Sequence, residues 1–232
     1  MLQHSMKSTS PHSPLEVASF EAIMNYQNTD VLLKFRKEWD VSPEEAELIF
    51  AETRKFIWLA SSSLRECFNI KVHEQFTVID EMWHTFIQFT DAYTSFCEDY
   101  LGGYLHHYPS TNDMIRKELK HVNETGITYR DYRYNEYVNQ IQRIERYLGA
   151  ETVATWYGKF AVKYSIENLN ALRKPLASST DDTYIKKIIP LLDMPADKFI
   201  EIIMKIDVWT GPASVCGCSG KGCGAGCSCN SR

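Results

Sequence analysis

Residues 77–101 read TVIDEMWHTFIQFTDAYTSFCEDYL and end against the pair Gly102-Gly103. Apolar residues recur in this stretch at intervals of three and four, which places them in one stripe along a helix. The stripe comprises Ile79, Met82, Trp83, Phe86, Ile87, Tyr93, Phe96, Cys97, Tyr100 and Leu101. Glycine just beyond the last turn is typical of a helix C-terminus. We therefore predict a single helix over Thr77–Leu101.

The rest of the chain has the same character, because turn-forming residues are scarce. The first glycine is Gly102, and no proline lies between Pro43 and Pro109 or between Pro109 and Pro175. Sheet proteins need frequent tight turns built from such residues, so the pattern predicts an all-α protein. Ser42-Pro43-Glu44-Glu45 is a typical helix start, with Ser42 as the cap and Glu45 closing a capping box. The other predicted helices are Leu15–Tyr26, Asp30–Trp39, Ser110–Asn123, Asp131–Leu148, Thr152–Leu172 and Asp182–Val208, with an irregular segment over Tyr129–Tyr137 as an alternative.

Composition limits the class of partner. The chain has 232 residues, 44% of them hydrophobic, and a formal net charge of -5. Without a basic surplus we expect no nucleic acid partner, and the short apolar runs predict no membrane partner. The N-terminus lacks the apolar core of a secretory signal, so we expect a cytoplasmic protein. The predicted organisation is a flexible arm (1–14), one helical domain (15–210) and a disordered tail (211–232).

The tail differs from the body in composition. Five of the seven cysteines lie in it, among glycines and with almost no large apolar side chain. They are Cys216, Cys218, Cys223, Cys227 and Cys229. Cys-X-Cys thiolates can bind Cu(I) or Zn(II), and cysteines are also sites of crosslinking or covalent modification. The third interpretation is a low-complexity extension without a specific role for its cysteines.

A second candidate site lies on the helix quoted above. Asp80 and His84 are one turn apart and share the border of the apolar stripe, a spacing at which a carboxylate and an imidazole can bind a transition metal. His106 and His107 follow the Gly102-Gly103 break, where the chain can turn back, and they are the candidates for further ligands. The sequence therefore makes Asp80, His84, His106 and His107 candidate ligands of an iron or zinc ion.

Two alternatives account for the same residues. Asp80 could complete a capping box with Thr77, while His84 hydrogen-bonds a backbone carbonyl and the later histidines form a solvated turn. A di-iron bundle would use the pairs Glu81-X-X-His84 and Glu118-X-X-His121. The helical wheel places Glu81 on the solvent side, which argues against that bundle.

A longer block of residues resembles a known family. The run from Ile79 to Ile87 with its Asp-X-X-Trp-His motif, followed by Tyr93, Phe96-Cys97, Gly103 and His106-His107-Tyr108-Pro109, is similar to the glycine-rich domain-containing protein-like family. The match covers about residues 45–160. The resemblance implies an all-helical domain, often followed by a glycine-rich tail, and no established enzymatic activity. The tail is short and cysteine-dense here, and no RNA-recognition segment follows it.

Two functions follow from these patterns. The first is a non-catalytic helical domain that presents the Cys/Gly-rich tail for soft-metal binding, to a tail-modifying enzyme or to a protein partner. The second is a metalloenzyme with an Asp/His site in the body. The expected cofactor is a transition metal, Cu, Zn or Fe. The chain lacks a nucleophile motif, a phosphate loop and a dinucleotide fingerprint, so no reaction is predicted.

Overall fold

The computed structural model describes residues 18–65, 70–175 and 186–205, and these ranges form an all-α fold, as predicted. Within them the one β-type pairing is an isolated bridge. The helices are α1 (Phe20–Met24), α2 (Thr29–Glu38), α3 (Pro43–Arg65), α4 (Thr77–Gln88), α5 (Thr90–Phe96), α6 (Asn112–Thr125), α7 (Tyr129–Leu148), α8 (Ala150–Ala154), α9 (Ala161–Lys163), α10 (Ile166–Leu172) and α11 (Ala196–Ile203). None of these helices combines the length and apolar character needed to cross a membrane.

Helix α3 is the centre of the core and packs against α1, α2, α4 and α7. Its start matches the prediction, since the Ser42 hydroxyl accepts a hydrogen bond from the Glu45 backbone amide at 3.1 Å. Further along α3 the chain buries the carboxylate of Glu52, which accepts a hydrogen bond from the Trp156 indole at 2.8 Å. This bond joins α3 to a segment more than a hundred residues later. The buried polar group is therefore satisfied, and it fixes the register of the two segments.

The predicted single helix over Thr77–Leu101 is interrupted, and this part of the prediction is wrong. Phe89 leaves the helical region (φ -85°, ψ 67°), so α4 ends at Gln88 and α5 begins at Thr90. A π-helical turn, Cys97–Leu101, then follows α5. Gly102 ends it in the left-handed conformation at φ 72°, as expected for a glycine C-cap. The break lets aromatic rings of both helices surround Tyr26, which contacts Phe86 and Phe96.

Later predictions are also modified. Helix α7 begins at Tyr129, so the alternative of an irregular segment over Tyr129–Tyr137 is wrong. Thr128 caps this helix, because its hydroxyl accepts a hydrogen bond from the Asp131 amide at 3.1 Å. The helix predicted over Thr152–Leu172 is divided by a π-helical turn, Thr155–Phe160, and by Tyr164. Only residues 186–205 of the last predicted helix are described, and Pro190 and Pro195 interrupt them.

The segment after α2 meets the segment after α10. Trp39 at the end of α2 forms an antiparallel bridge with Arg173, beyond α10. The Asp40 amide donates to the Leu172 carbonyl at 2.8 Å, and the Lys174 amide donates to the Glu38 carbonyl at 2.7 Å. The predicted arm (1–14), Cys67 and the tail (211–232) with its five cysteines lie outside the described residues.

Candidate functional site

The structure brings together three of the four metal candidates from the helical body. Asp80 and His84 lie one turn apart on α4, and His107 arrives from the extended segment that follows Gly102. The Asp80 carboxylate lies between the two rings, with Oδ1 2.8 Å from Nε2 of His107 and Oδ2 3.3 Å from Nδ1 of His84. One possible ligand atom from each of the three residues lies within 4.8 Å of the other two.

The three side chains differ in their exposure to solvent. His84 is 51% exposed, whereas Asp80 and His107 are 22% and 18% exposed. The two imidazoles are stacked, with ring centroids 4.6 Å apart and an interplanar angle of 23°. The ring lone pairs lie in the ring planes, so two stacked imidazoles cannot both point at one ion. Binding of a shared ion therefore requires rotation of one ring, and His84 has the solvent space for it.

His106 lies outside this cluster because it is on the other side of an extended segment. Successive side chains of an extended chain point in opposite directions. Leu105 is buried and His107 is half-buried on the same side, whereas Tyr104, His106 and Tyr108 are exposed. The His106 ring instead lies against those of Tyr104 and Tyr108. The apolar residue two positions before His107 is the sequence signal that distinguishes the two histidines.

A tether of buried groups positions the segment that carries His107. The Trp83 indole donates to the Tyr93 hydroxyl at 3.0 Å, and that hydroxyl donates to the Leu105 carbonyl at 2.7 Å. Burial raises the pKa of Tyr93, which keeps the hydroxyl protonated as a donor. Burial also raises the pKa of the Cys97 thiol, which lies within hydrogen-bonding reach of the Leu105 backbone and Tyr93. The Trp, Tyr and Cys positions of the sequence motif therefore share one structural role.

The capping-box alternative for Asp80 does not match the structure. Thr77 is the first residue of α4, and its hydroxyl donates to the Glu74 carbonyl at 3.0 Å rather than capping an amide. The carboxylate of Asp80 faces the two histidines instead. The residue preceding α4, Phe76, provides no side-chain cap.

The two Glu-X-X-His pairs considered for a di-iron centre have other partners. Glu81 is half-buried rather than on the solvent side, and its Oε2 lies 3.5 Å from Nη1 of Arg173. Burial raises the pKa of Glu81, and Arg173 opposes this shift. Glu118 pairs with Lys71 and Arg133. Neither glutamate therefore joins the Asp80 cluster.

One of three comparisons with known proteins relates the chain to a family. A search of curated proteins and a search of solved structures found no match. A family model, that of the UCP032817-like family, matches residues 20–144, which include the Asp80 cluster and the Trp83–Tyr93–Leu105 tether. Since this match extends over more than half of the chain, the protein belongs to the UCP032817-like family.

Proposed function

We propose that the helical body is a metal-binding domain in which Asp80, His84 and His107 bind one divalent transition metal ion. The observation that carries this proposal is the convergence of three potential ligand atoms, from α4 and from a segment beyond α5, within 4.8 Å of one another. The tether through Trp83 and Tyr93 holds His107 against α4 before any ligand binds. Holding His107 in place in advance reduces the conformational entropy lost on binding, while the half-exposed His84 ring rotates to complete the ligand set.

The donor set favours particular metals. Two neutral imidazoles and one carboxylate suit Zn²⁺ or Fe²⁺, whereas Cu(I) prefers thiolates and Mg²⁺ prefers oxygen ligands. Three protein ligands leave at least one coordination position open, which is the arrangement of catalytic rather than structural zinc sites. The alternative of a metalloenzyme therefore stays a hypothesis for this site. We assign no reaction to it.

The Cys/Gly-rich tail provides a second function of a different chemical class in this proposal. Its thiolates suit a soft metal such as Cu(I), or a modifying enzyme or protein partner, whereas the body site suits a harder ion. The tail lies outside the described residues, so its role rests on its sequence alone. Any test of the body site has to exclude competition from the tail cysteines.

The test uses the full-length chain with the five tail cysteines replaced by serine. Zn²⁺ affinity is measured by competition with a chromogenic chelator, and Fe²⁺ affinity by anaerobic calorimetry. We expect His107→Ala to weaken Zn²⁺ binding at least about tenfold, because one of three ligands is lost. The matched control is His106→Ala, which removes the exposed neighbouring imidazole and should leave the affinity unchanged. Equal affinity of both variants and the parent would overturn the proposal and favour a purely hydrogen-bonded network.

A further inference from the structure

A second cluster, formed around the single histidine His73, lies between the segment before α4 and helix α7. His73 Nδ1 is 2.9 Å from the hydroxyl of Tyr157, and the His73 ring stacks on Tyr137 with centroids 5.2 Å apart. Burial, together with the positive charges of Arg133 and Lys71, lowers the pKa of His73 to about 4. The imidazole is therefore neutral near pH 7 and acts as a hydrogen-bonding group.

We assign the tautomer of the neutral ring from the hydrogen bonds around Tyr157. Burial raises the pKa of the Tyr157 hydroxyl, and Gln140 Nε2, which lies 3.5 Å from the Tyr157 oxygen, opposes this shift as a hydrogen-bond donor does. The Tyr157 hydroxyl then has its own proton to donate to Nδ1 of His73. The remaining proton of the neutral ring is thus on Nε2, which is left as a donor.

This cluster lies at the wall of a cleft with a volume of about 420 Å³, which suits a small organic ligand. The buried side chain of Gln140 makes the wall rigid. Its Oε1 accepts from the Lys71 amide at 2.9 Å, and its Nε2 donates to the Lys71 carbonyl at 2.7 Å. Helix α7 thereby holds the backbone of the segment before α4 in place. The residues lining the cleft include Lys71, His73, Arg133, Tyr137 and Gln140.

The two cations of the cleft share one carboxylate of the same chain. Glu118, on α6, lies 3.6 Å from Nζ of Lys71 and 3.3 Å from Nη1 of Arg133. Helix α6 is exposed along almost its whole length, with Val122 as its one buried residue. Displacing Glu118 therefore disturbs little buried surface. The glutamate shows which chemical group the two cations bind.

We propose that this cleft is a binding site for a small planar organic acid, whose carboxylate replaces Glu118 on Lys71 and Arg133 while its ring lies against Tyr137. The neutral His73 provides a further donor. Glu74 and Glu136 also line the cleft, so a polyphosphate or other highly charged anion is disfavoured. The site uses none of the residues assigned to the proposed metal centre.

The experiment titrates full-length protein with 4-hydroxyphenylacetate and indole-3-acetate, and with their uncharged amides, by calorimetry. We expect the acids to bind and the amides to bind at least about tenfold more weakly, because the charge-assisted bonds are lost. Arg133→Gln should weaken acid binding by about tenfold or more. Glu118→Gln should strengthen it about threefold or more, because an internal competitor for the cations is removed. The matched control, Arg116→Gln, changes an exposed arginine of α6 that pairs with Asp113, and should have no effect.

Three results would overturn the proposal. The first is failure of both acids to bind at concentrations up to about 10 mM. The second is equal binding of acids and amides, which would mean that the cations do not select the ligand. The third is unchanged or weaker acid binding by Glu118→Gln, which would mean that Glu118 does not occupy the ligand's position. Melting temperatures of the three variants within a few degrees of the parent verify that each one is folded.

Discussion

The Asp80 cluster and the His73 cluster have opposite electrostatic surroundings. In the Asp80 cluster a carboxylate lies between the rings of His84 and His107, and one of these rings is largely open to solvent. In the His73 cluster the ring is bonded to a neutral tyrosine hydroxyl and lies near Lys71 and Arg133, which pair with Glu118. The first arrangement therefore suits a bound cation and the second an anion. The comparison teaches that a histidine's role depends on the charges that the fold places beside it.

We expect the largest change in the free energy of unfolding when Gln140, whose side chain holds the backbone beside His73, is replaced. Gln140→Leu leaves the amide and carbonyl of Lys71 without their partner in a half-buried position. We expect a loss of about 3 kcal/mol in the free energy of unfolding, because each unpaired backbone group carries its own desolvation penalty. Urea denaturation measures it. The exposed Gln142→Leu on the same helix is the control, and a similar small change in both variants would contradict the role assigned to Gln140.

The tether that holds His107 in the Asp80 cluster is tested by removing one hydroxyl group, that of Tyr93. Tyr93→Phe removes the acceptor of the Trp83 indole and the donor to the Leu105 carbonyl. We expect the free energy of unfolding to fall by about 2 kcal/mol and Zn²⁺ binding to weaken, because the segment carrying His107 is no longer tethered. Denaturation and the chelator competition measure the two effects. The exposed Tyr104→Phe should change neither quantity, and unaltered Zn²⁺ affinity in Tyr93→Phe would remove the tether from the account of the site.

The neutral state of His73 predicts a pH effect. The unfolded chain protonates this ring near the ordinary pKa of 6.5, whereas the folded chain does so only near a pKa of about 4. The free energy of unfolding should therefore fall as the pH decreases from 6.5 towards 4. With allowance for partial solvent exposure, we expect His73 to contribute about 1–2 kcal/mol to this decrease.

The measurement compares the wild type with His73→Gln between pH 7 and pH 4. The variant should lose less stability on acidification, because its side chain does not titrate. Other carboxylates titrate in the same range in both proteins, so the difference between the two curves is the quantity of interest. His121→Gln, on the exposed surface of α6, is the matched control. Parallel curves for wild type and His73→Gln would show that the ring does not stay neutral in the folded chain.

The smallest effect is expected at His84. A histidine at the edge of an apolar stripe suggests a costly substitution, but its side chain is 51% exposed and contacts Asp80 at 3.3 Å. In the presence of a metal chelator we expect His84→Ala to lower the free energy of unfolding by less than about 1 kcal/mol. His107→Ala should lower the free energy of unfolding more, because the His107 ring packs on that of Trp83 with the ring centroids 4.3 Å apart. A larger loss of stability in His84→Ala than in His107→Ala would contradict the difference in burial between the two rings.

The sequence predicts most helices because breakers and caps are local signals. Ser42, Gly102 and the long stretches without proline on either side of Pro109 are signals of this local kind. The break at Phe89 has no such signal, since Phe89 is neither glycine nor proline and the apolar pattern continues across it. It reflects packing around Tyr26, and tertiary contacts of this kind override local propensity.

The same distinction applies to the sites. Helical spacing predicts the proximity of Asp80 and His84, and the glycine turn predicts the return of the chain. The His73 cluster is not predictable in this way, because its contacts join residues 69 and 84 positions apart. No periodic pattern links a residue before α4 to Gln140 and Tyr157. Only the packed fold brings them together.

The bridge between Trp39 and Arg173 has a consequence for how fast the protein folds. It closes a loop that contains most of the helical body, and loop closure over such a distance is slow compared with formation of local helix pairs. The same loop contains a second long-range contact, between the Trp156 indole and the Glu52 carboxylate. Folding should therefore be slower than in helical bundles with local contacts alone. A chain ending at residue 144 would leave Glu52 buried without its indole donor and should not reach the same final packing.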